Sequence, residues 1–129
     1  MDIVSDTNIF LAVVFNEPEK ERIIELTSGF DVTAPEILPY EIGNALSAML
    51  KRKQISAKEA LIAQKATDSI PVRLVSIDIS KALNLAIEFN IYAYDAYFLQ
   101  CAISTSSPLI TLDKRMKKIA VDLDIQVLG

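Results

Sequence analysis

No histidine occurs anywhere in this chain of 129 residues, and that absence excludes a large share of enzyme chemistry. Without imidazole there is no commonest general base, no serine or cysteine triad that leans on it, and no His-ligated zinc centre. A single cysteine, Cys101, rules out an internal disulfide. Set in an apolar helix with no histidine to activate it, Cys101 reads as core packing rather than as a nucleophile. No apolar run approaches the ~20 residues that span a bilayer, so membrane insertion is not expected despite the positive mean hydropathy. The amino terminus also lacks the basic, apolar and small-residue order of a signal peptide, and the expected location is the cytoplasm.

With 51% hydrophobic residues, the chain has enough apolar material for one core and is too short for two comfortable domains. A single domain over residues 1–129 is expected, and the apolar excess points to self-association. The net charge of −4 would ordinarily argue against a nucleic-acid partner, but the charges are unevenly placed. Lys51, Arg52 and Lys53 form one basic cluster; Lys114, Arg115, Lys117 and Lys118 form another. Each reads either as a patch that holds phosphates or as a solvated helix end.

The local patterns alternate. Residues 2–6 are short, β-branched and apolar, and Thr7-Asn8 offers turn chemistry before a helix from Ile9 to Phe15. Pro18 opens a second predicted helix with Ile23, Ile24 and Leu26 on its inner side, ended by Gly29. A strand over 31–34 leads to a helix predicted from Pro35 to about Lys53, with Leu38, Ile42, Ala45 and Met49 repeating at helical spacing. Ser56 and Glu59 match a capping box for a helix over 57–69, forming a hairpin with the preceding one. A strand over 72–77 is followed by a helix from 82 to 89 capped by Asp78 or Ser80. The remaining pattern predicts a helix over 95–105, a strand over 109–111, a helix over 113–120 and a strand over 125–128. Strands alternating with helices imply crossover units and a mainly parallel sheet covered on both faces, an α/β fold.

Four carboxylates stand where an acidic residue has no obvious local use: Asp6, Glu41, Asp95 and Asp113. Asp6 and Asp113 lie at strand ends, where open parallel sheets place their ligand crevice, though each also suits a helix N-cap. Glu41 falls beside the apolar stripe of its helix, with solvent exposure as its alternative. Asp95 is the only charged residue between Ile91 and Ile103, on a helix apolar enough to be buried, so its carboxylate needs a partner or serves as a cap. If the four meet at one sheet edge they form a site for a hard divalent cation. Two like charges ~4 Å apart repel by about 4 kcal/mol at an effective dielectric of ~20. A carboxylate-held Mg²⁺ or Mn²⁺ can activate water against a phosphodiester with no side-chain base.

Three stretches carry a resemblance: Asp6-Thr7-Asn8 after the first strand, Tyr94-Asp95-Ala96-Tyr97 opening a buried helix, and Thr111-Leu112-Asp113-Lys114 after a late strand. With Glu41 in Pro39-Tyr40-Glu41-Ile42-Gly43-Asn44, the chain resembles the PIN-domain ribonucleases over nearly its whole length, in particular the VapC-type toxins of toxin-antitoxin pairs. The resemblance implies a three-layer α/β/α sandwich and a Mg²⁺- or Mn²⁺-dependent endoribonuclease. It implies Asp6, Glu41, Asp95 and Asp113 as catalytic residues that ligate the metal or orient its water. Thr7, Asn8 and Thr111 look like groups that orient carboxylates or phosphate. It further implies a homodimer and, for a toxin, an inhibiting antitoxin. Lys114 and Arg115, next to Asp113, are candidates for guiding RNA to an otherwise acidic pocket.

Two other carboxylate-centred α/β enzymes do not match. A receiver domain needs an acidic pair at the first strand and a late-strand lysine, and a haloacid-dehalogenase-like phosphatase needs an acid where Asn8 stands. A stand-alone PIN nuclease in RNA processing, or a non-catalytic interaction module of the same fold, would present the same four acids. Tyr92, Tyr94, Tyr97 and Phe98 either stack on bases or fill the core or an interface.

Overall fold

The computed structural model describes residues 1–129. Along the chain lie β1 (Asp2–Ser5), α1 (Thr7–Val14), α2 (Lys20–Thr27), β2 (Asp31–Pro35), α3 (Leu38–Lys51) and α4 (Ala57–Asp68). They are followed by β3 (Arg73–Val75), α5 (Ile79–Phe89), α6 (Ala93–Thr105), β4 (Leu109–Ile110) and α7 (Lys114–Asp122). The four strands form one wholly parallel sheet in the order β3-β2-β1-β4. β1 therefore sits inside the sheet, with Ile3 opposite Val32 on one side and Val4 opposite Leu109 on the other.

Because side chains alternate along a strand, β1 feeds two cores. Val4 and Leu109 belong to a large cluster with Leu38, Phe98 and Leu99, while Ile3 and Ile110 join Ile9, Ala12 and Ile23 in a smaller one. α1 bridges both, since Phe10 and Leu11 turn toward the first and Ile9 and Ala12 toward the second. This makes a parallel α/β fold with helices on both faces of the sheet, as the alternation of elements requires. No helix is long and apolar enough to cross a membrane.

Several boundaries differ from the sequence expectation. Pro35 is the last residue of β2, paired with Val75, and the ladder continues as Glu36 N–H donates to the Val75 carbonyl at 3.0 Å. The proline that opens α3 is Pro39, in its first turn, where a missing N–H costs nothing. Leu46 joins Leu38 and Ile42 on the buried stripe, with Ala45 and Met49 only partly covered. On α2, Ile23 is buried and Ile24 exposed, because adjacent helical residues point about 100° apart and only one can face the sheet. The expected last strand is reduced to one bridge between Leu109 and Val127, since β4 itself offers only two residues to pair with. The capping box of Ser56 and Glu59 is formed at the start of α4, and Asp78 caps α5. Cys101 is free and fully buried, and desolvation pushes its thiol up to about 12, as its core placement demands.

Thr33, in the middle of β2, is completely buried, and its hydroxyl has no hydrogen-bond partner. A buried unpaired hydroxyl costs about 1–3 kcal/mol of desolvation, so Thr33→Val should raise the unfolding free energy by about 1 kcal/mol. Urea denaturation measures this directly; a loss of stability would reveal a partner for Oγ1.

Candidate active site

Parallel pairing brings the carboxyl ends of β1 and β4 side by side, and the four acids gather beyond that edge. Asp6 is the residue after β1 and the N-cap of α1, with Oδ1 accepting from the Thr7 N–H at 2.8 Å. Its other oxygen, Oδ2, accepts from the Thr111 hydroxyl at 2.9 Å, a contact across 105 residues of chain. Thr111 Oγ1 in turn accepts from the Asp113 N–H at 3.1 Å, which fixes the turn after β4. Asp113 caps α7 through Oδ1, which accepts from the Met116 N–H at 3.0 Å. On the other side, the Thr7 hydroxyl donates to Glu41 Oε2 at 2.7 Å and ties α1 to α3. Asp6 and Asp113 are thus helix caps and members of the acidic group at once. Glu41 is anchored on Thr7 instead of extending into solvent.

Asp95 differs from the rest. It lies in the first turn of α6, whose N-cap position is Tyr92, and its carboxylate caps nothing and accepts no hydrogen bond. The capping alternative is therefore excluded for Asp95. What faces this charge is Arg115, which favours ionisation, and Asp113, which opposes it.

Burial and mutual repulsion act together on three of the four. Desolvation, the larger cause, raises Asp6 above its ordinary 3.8, and Asp95 and Asp113 add repulsion against the stabilising bonds from Thr111 and Thr7. Glu41 is raised from 4.5 by desolvation and then by Asp6 and Asp95, opposed by the bond from Thr7. Asp95 is raised from 3.8 by desolvation and by Asp113. These carboxylates therefore form one coupled group.

Carboxylates with raised folded-state pKa values bind protons more tightly folded than unfolded. Their contribution favours the fold at low pH and is lost as pH climbs from about 3.8–4.5 through the raised values. Asp95→Asn, which removes one charge and breaks no hydrogen bond, should raise the melting temperature in chelator at pH 7 by a few degrees and flatten this decline. Thermal melts of both proteins from pH 4 to 8 provide the check. An unchanged or lower melting temperature would mean that Asp95 is not held under repulsion.

No three acidic side chains converge closely enough to enclose an ion by themselves. The donor set nevertheless suits a hard cation. All donors are carboxylate oxygens, and Mg²⁺ is commonly held by one or two carboxylates with water completing its shell. Asp95 and Asp113 line one cleft of about 420 Å³ together with Tyr92 and Arg115. Asp113 also borders a second cleft with Asn8, Glu17 and Met49.

The remaining expected residues divide. Thr7 and Thr111 bond carboxylates directly, whereas Asn8 is exposed and bonds none. Arg115 lines the acidic cleft, and its Nη2 donates to the carbonyls of Phe89 at 2.9 Å and Asn90 at 3.1 Å. Lys114 is exposed at the start of α7. Lys51, Arg52 and Lys53 lie at the far end of α3, about 15 Å along the helix from Glu41, and form a solvated helix end. Glu17 was not anticipated in this region, because no periodicity marks the loop after α1.

Residues 3–122 match the model of the PIN domain family. The chain belongs to that family. Its PIN fold is similar to three solved structures of low sequence identity. PAE2754 from Pyrobaculum aerophilum has a TM-score of 0.69 at 18% identity, covering 96% of this chain and 90% of that one. FitAcB from Neisseria gonorrhoeae has a TM-score of 0.67 at 17% identity, covering 98% and 96%. VapBC2 from Rickettsia felis, bound to a DNA fragment from their promoter, has a TM-score of 0.66 at 15% identity, covering 98% and 97%. No curated protein matches the chain in sequence.

Proposed function

We propose that this PIN domain, a single unit over residues 1–129, is a Mg²⁺- or Mn²⁺-dependent endoribonuclease acting in the cytoplasm as the toxin of a toxin-antitoxin pair. The observation that carries the reading is the hydrogen-bonded chain from Thr111 through Asp6 and Thr7 to Glu41, set beside Asp95 and Asp113 at the carboxyl edge of the sheet. Such an array costs folding energy unless a cation neutralises it, and its all-oxygen donors suit a hard divalent ion. Asp6 and Asp95 are the main candidate ligands, with Asp113 and Glu41 as further ligands or orienters of metal-bound water. When bound, the ion supplies an activated water and charge stabilisation at the phosphate. The protein's own part is to hold Asp6 through Thr111 and Thr7, hold Glu41 through Thr7, and present Arg115 and Lys114 to the incoming phosphate backbone.

The antitoxin partner is proposed from the resemblance of the motifs to VapC-type toxins, with the likeness to VapBC2 in support. A homodimer is favoured by an exposed apolar stripe on α5, where Ile79, Leu83 and Ile87 recur every fourth residue. Cleavage of labelled RNA by the purified chain in Mg²⁺, Mn²⁺ or chelator tests the enzyme. Metal-dependent cutting is expected. A folded protein that binds divalent ions and cuts no RNA would favour the interaction module.

A further inference from the structure

The aromatic residue that lines the acidic cleft is not part of the core. Tyr92 is 84% exposed and lines the cleft with Asp95, Asp113 and Arg115. Phe98, by contrast, is fully buried, and Tyr94 is engaged edge-on with Tyr97 at 6.0 Å between ring centroids. A single exposed tyrosine is ordinary. One that lines the same cleft as a guanidinium and two carboxylates is part of a composite site.

The backbone under Tyr92 is held from both sides. Its carbonyl accepts the Ala96 N–H at 3.2 Å as α6 begins, and the Ile91 N–H donates to the Ala86 carbonyl at 3.0 Å. Arg115 adds a brace from α7, with Nη2 donating to the carbonyls of Phe89 and Asn90 just upstream. Because Nη2 makes both bonds, Nε and Nη1 are left without protein partners in the same cleft. The cleft thus combines an aromatic surface, spare guanidinium donors and acidic groups, which match the base, the phosphate and the reacting end of one nucleotide. Stacking tolerates any base, because each has a π-face, but requires that base to be unpaired.

We propose that Tyr92 is a specificity-determining residue whose ring stacks on one unpaired base of the RNA while Arg115 holds the adjoining phosphate. This assignment rests on the nuclease reading above. It limits the substrate to single-stranded or splayed RNA, and it makes the nucleotide on Tyr92 the one that sets the register of the strand against Asp95.

The test uses the wild-type chain and its Tyr92→Ala and Tyr92→Phe variants in chelator, so that RNA is bound and not cut. The probe is a single-stranded oligonucleotide carrying 2-aminopurine at successive positions, whose fluorescence is quenched by stacking. Wild type should quench one position strongly. Tyr92→Ala should lose that quench and bind roughly 5- to 150-fold more weakly, while Tyr92→Phe keeps both, since the phenyl face suffices for stacking. With metal added, Tyr92→Ala should raise KM more than it lowers kcat. If wild type cuts RNA and Tyr92→Ala binds and quenches equally, the stacking role is overturned and the nuclease reading stands. If Tyr92→Ala changes only the oligomeric state, Tyr92 belongs to a protein interface and the proposal is overturned. If wild type neither binds nor cuts RNA, both readings fail.

Discussion

Asp6→Asn is expected to reduce metal-dependent RNA cleavage on the order of 10³-fold, equivalent to about 4 kcal/mol of transition-state stabilisation. The substitution is close to isosteric. An asparagine carbonyl still accepts the Thr7 N–H that starts α1, so the helix cap survives. The charge does not survive, and it is the charge that a cation requires. Since burial and the neighbouring acids already disfavour ionised Asp6, neutralising it removes strain from the metal-free fold. The variant should therefore melt no lower than wild type in chelator and gain less stability when Mg²⁺ or Mn²⁺ is added. Cleavage assays paired with melts in both conditions measure the two halves together. Retained cleavage would place the chemistry elsewhere. Unfolding would mean that capping dominates at this position.

The largest effect on stability is expected at Phe98. The side chain is fully buried in the main core cluster, on a helix that packs against α5, β1 and β2. Truncating such a phenylalanine removes its burial and leaves a cavity that the packed surroundings only partly close. Phe98→Ala should cost about 3–5 kcal/mol. For a chain of this size that lowers the melting temperature by about 10–20 °C, read by calorimetry or urea denaturation. A cost below about 1 kcal/mol would mean that α6 shifts to fill the space, and Asp95 would move with it.

Helix periodicity and capping chemistry are legible in the sequence because they are local. Ser56 and Glu59 face each other as their spacing demands, and the α3 stripe emerges from Leu38 and Ile42. The parallel sheet followed from the alternation of elements. What misled was punctuation with two valid meanings. Pro35 and Pro39 are both acceptable helix openers, and only the pairing of Pro35 with Val75 decides between them. Asp6 and Asp113 pose a similar choice between cap and site: both are caps, and capping leaves each of them beside the other acids, so the one reading does not displace the other. The threonine bonds to Asp6 and Glu41 joined residues already singled out, but the bonds themselves depend on tertiary geometry. The brace from Arg115 to the end of α5 left no trace in the sequence, since carbonyl acceptors have no residue identity.

One contact described above also bears on when the site comes into being during synthesis. Asp6 leaves the ribosome well before Thr111, yet the hydroxyl that orients its carboxylate belongs to Thr111, and the strand that holds Thr111 in place can pair with β1 only after residues 109–110 are made. The same delay applies to Asp113. Pairing across so long a loop is late in folding as well as late in translation. A ribosome that has not yet passed this stretch therefore carries a chain with its acids still dispersed, and the cluster assembles only once more than a hundred residues separate its first member from the peptidyl-transfer site.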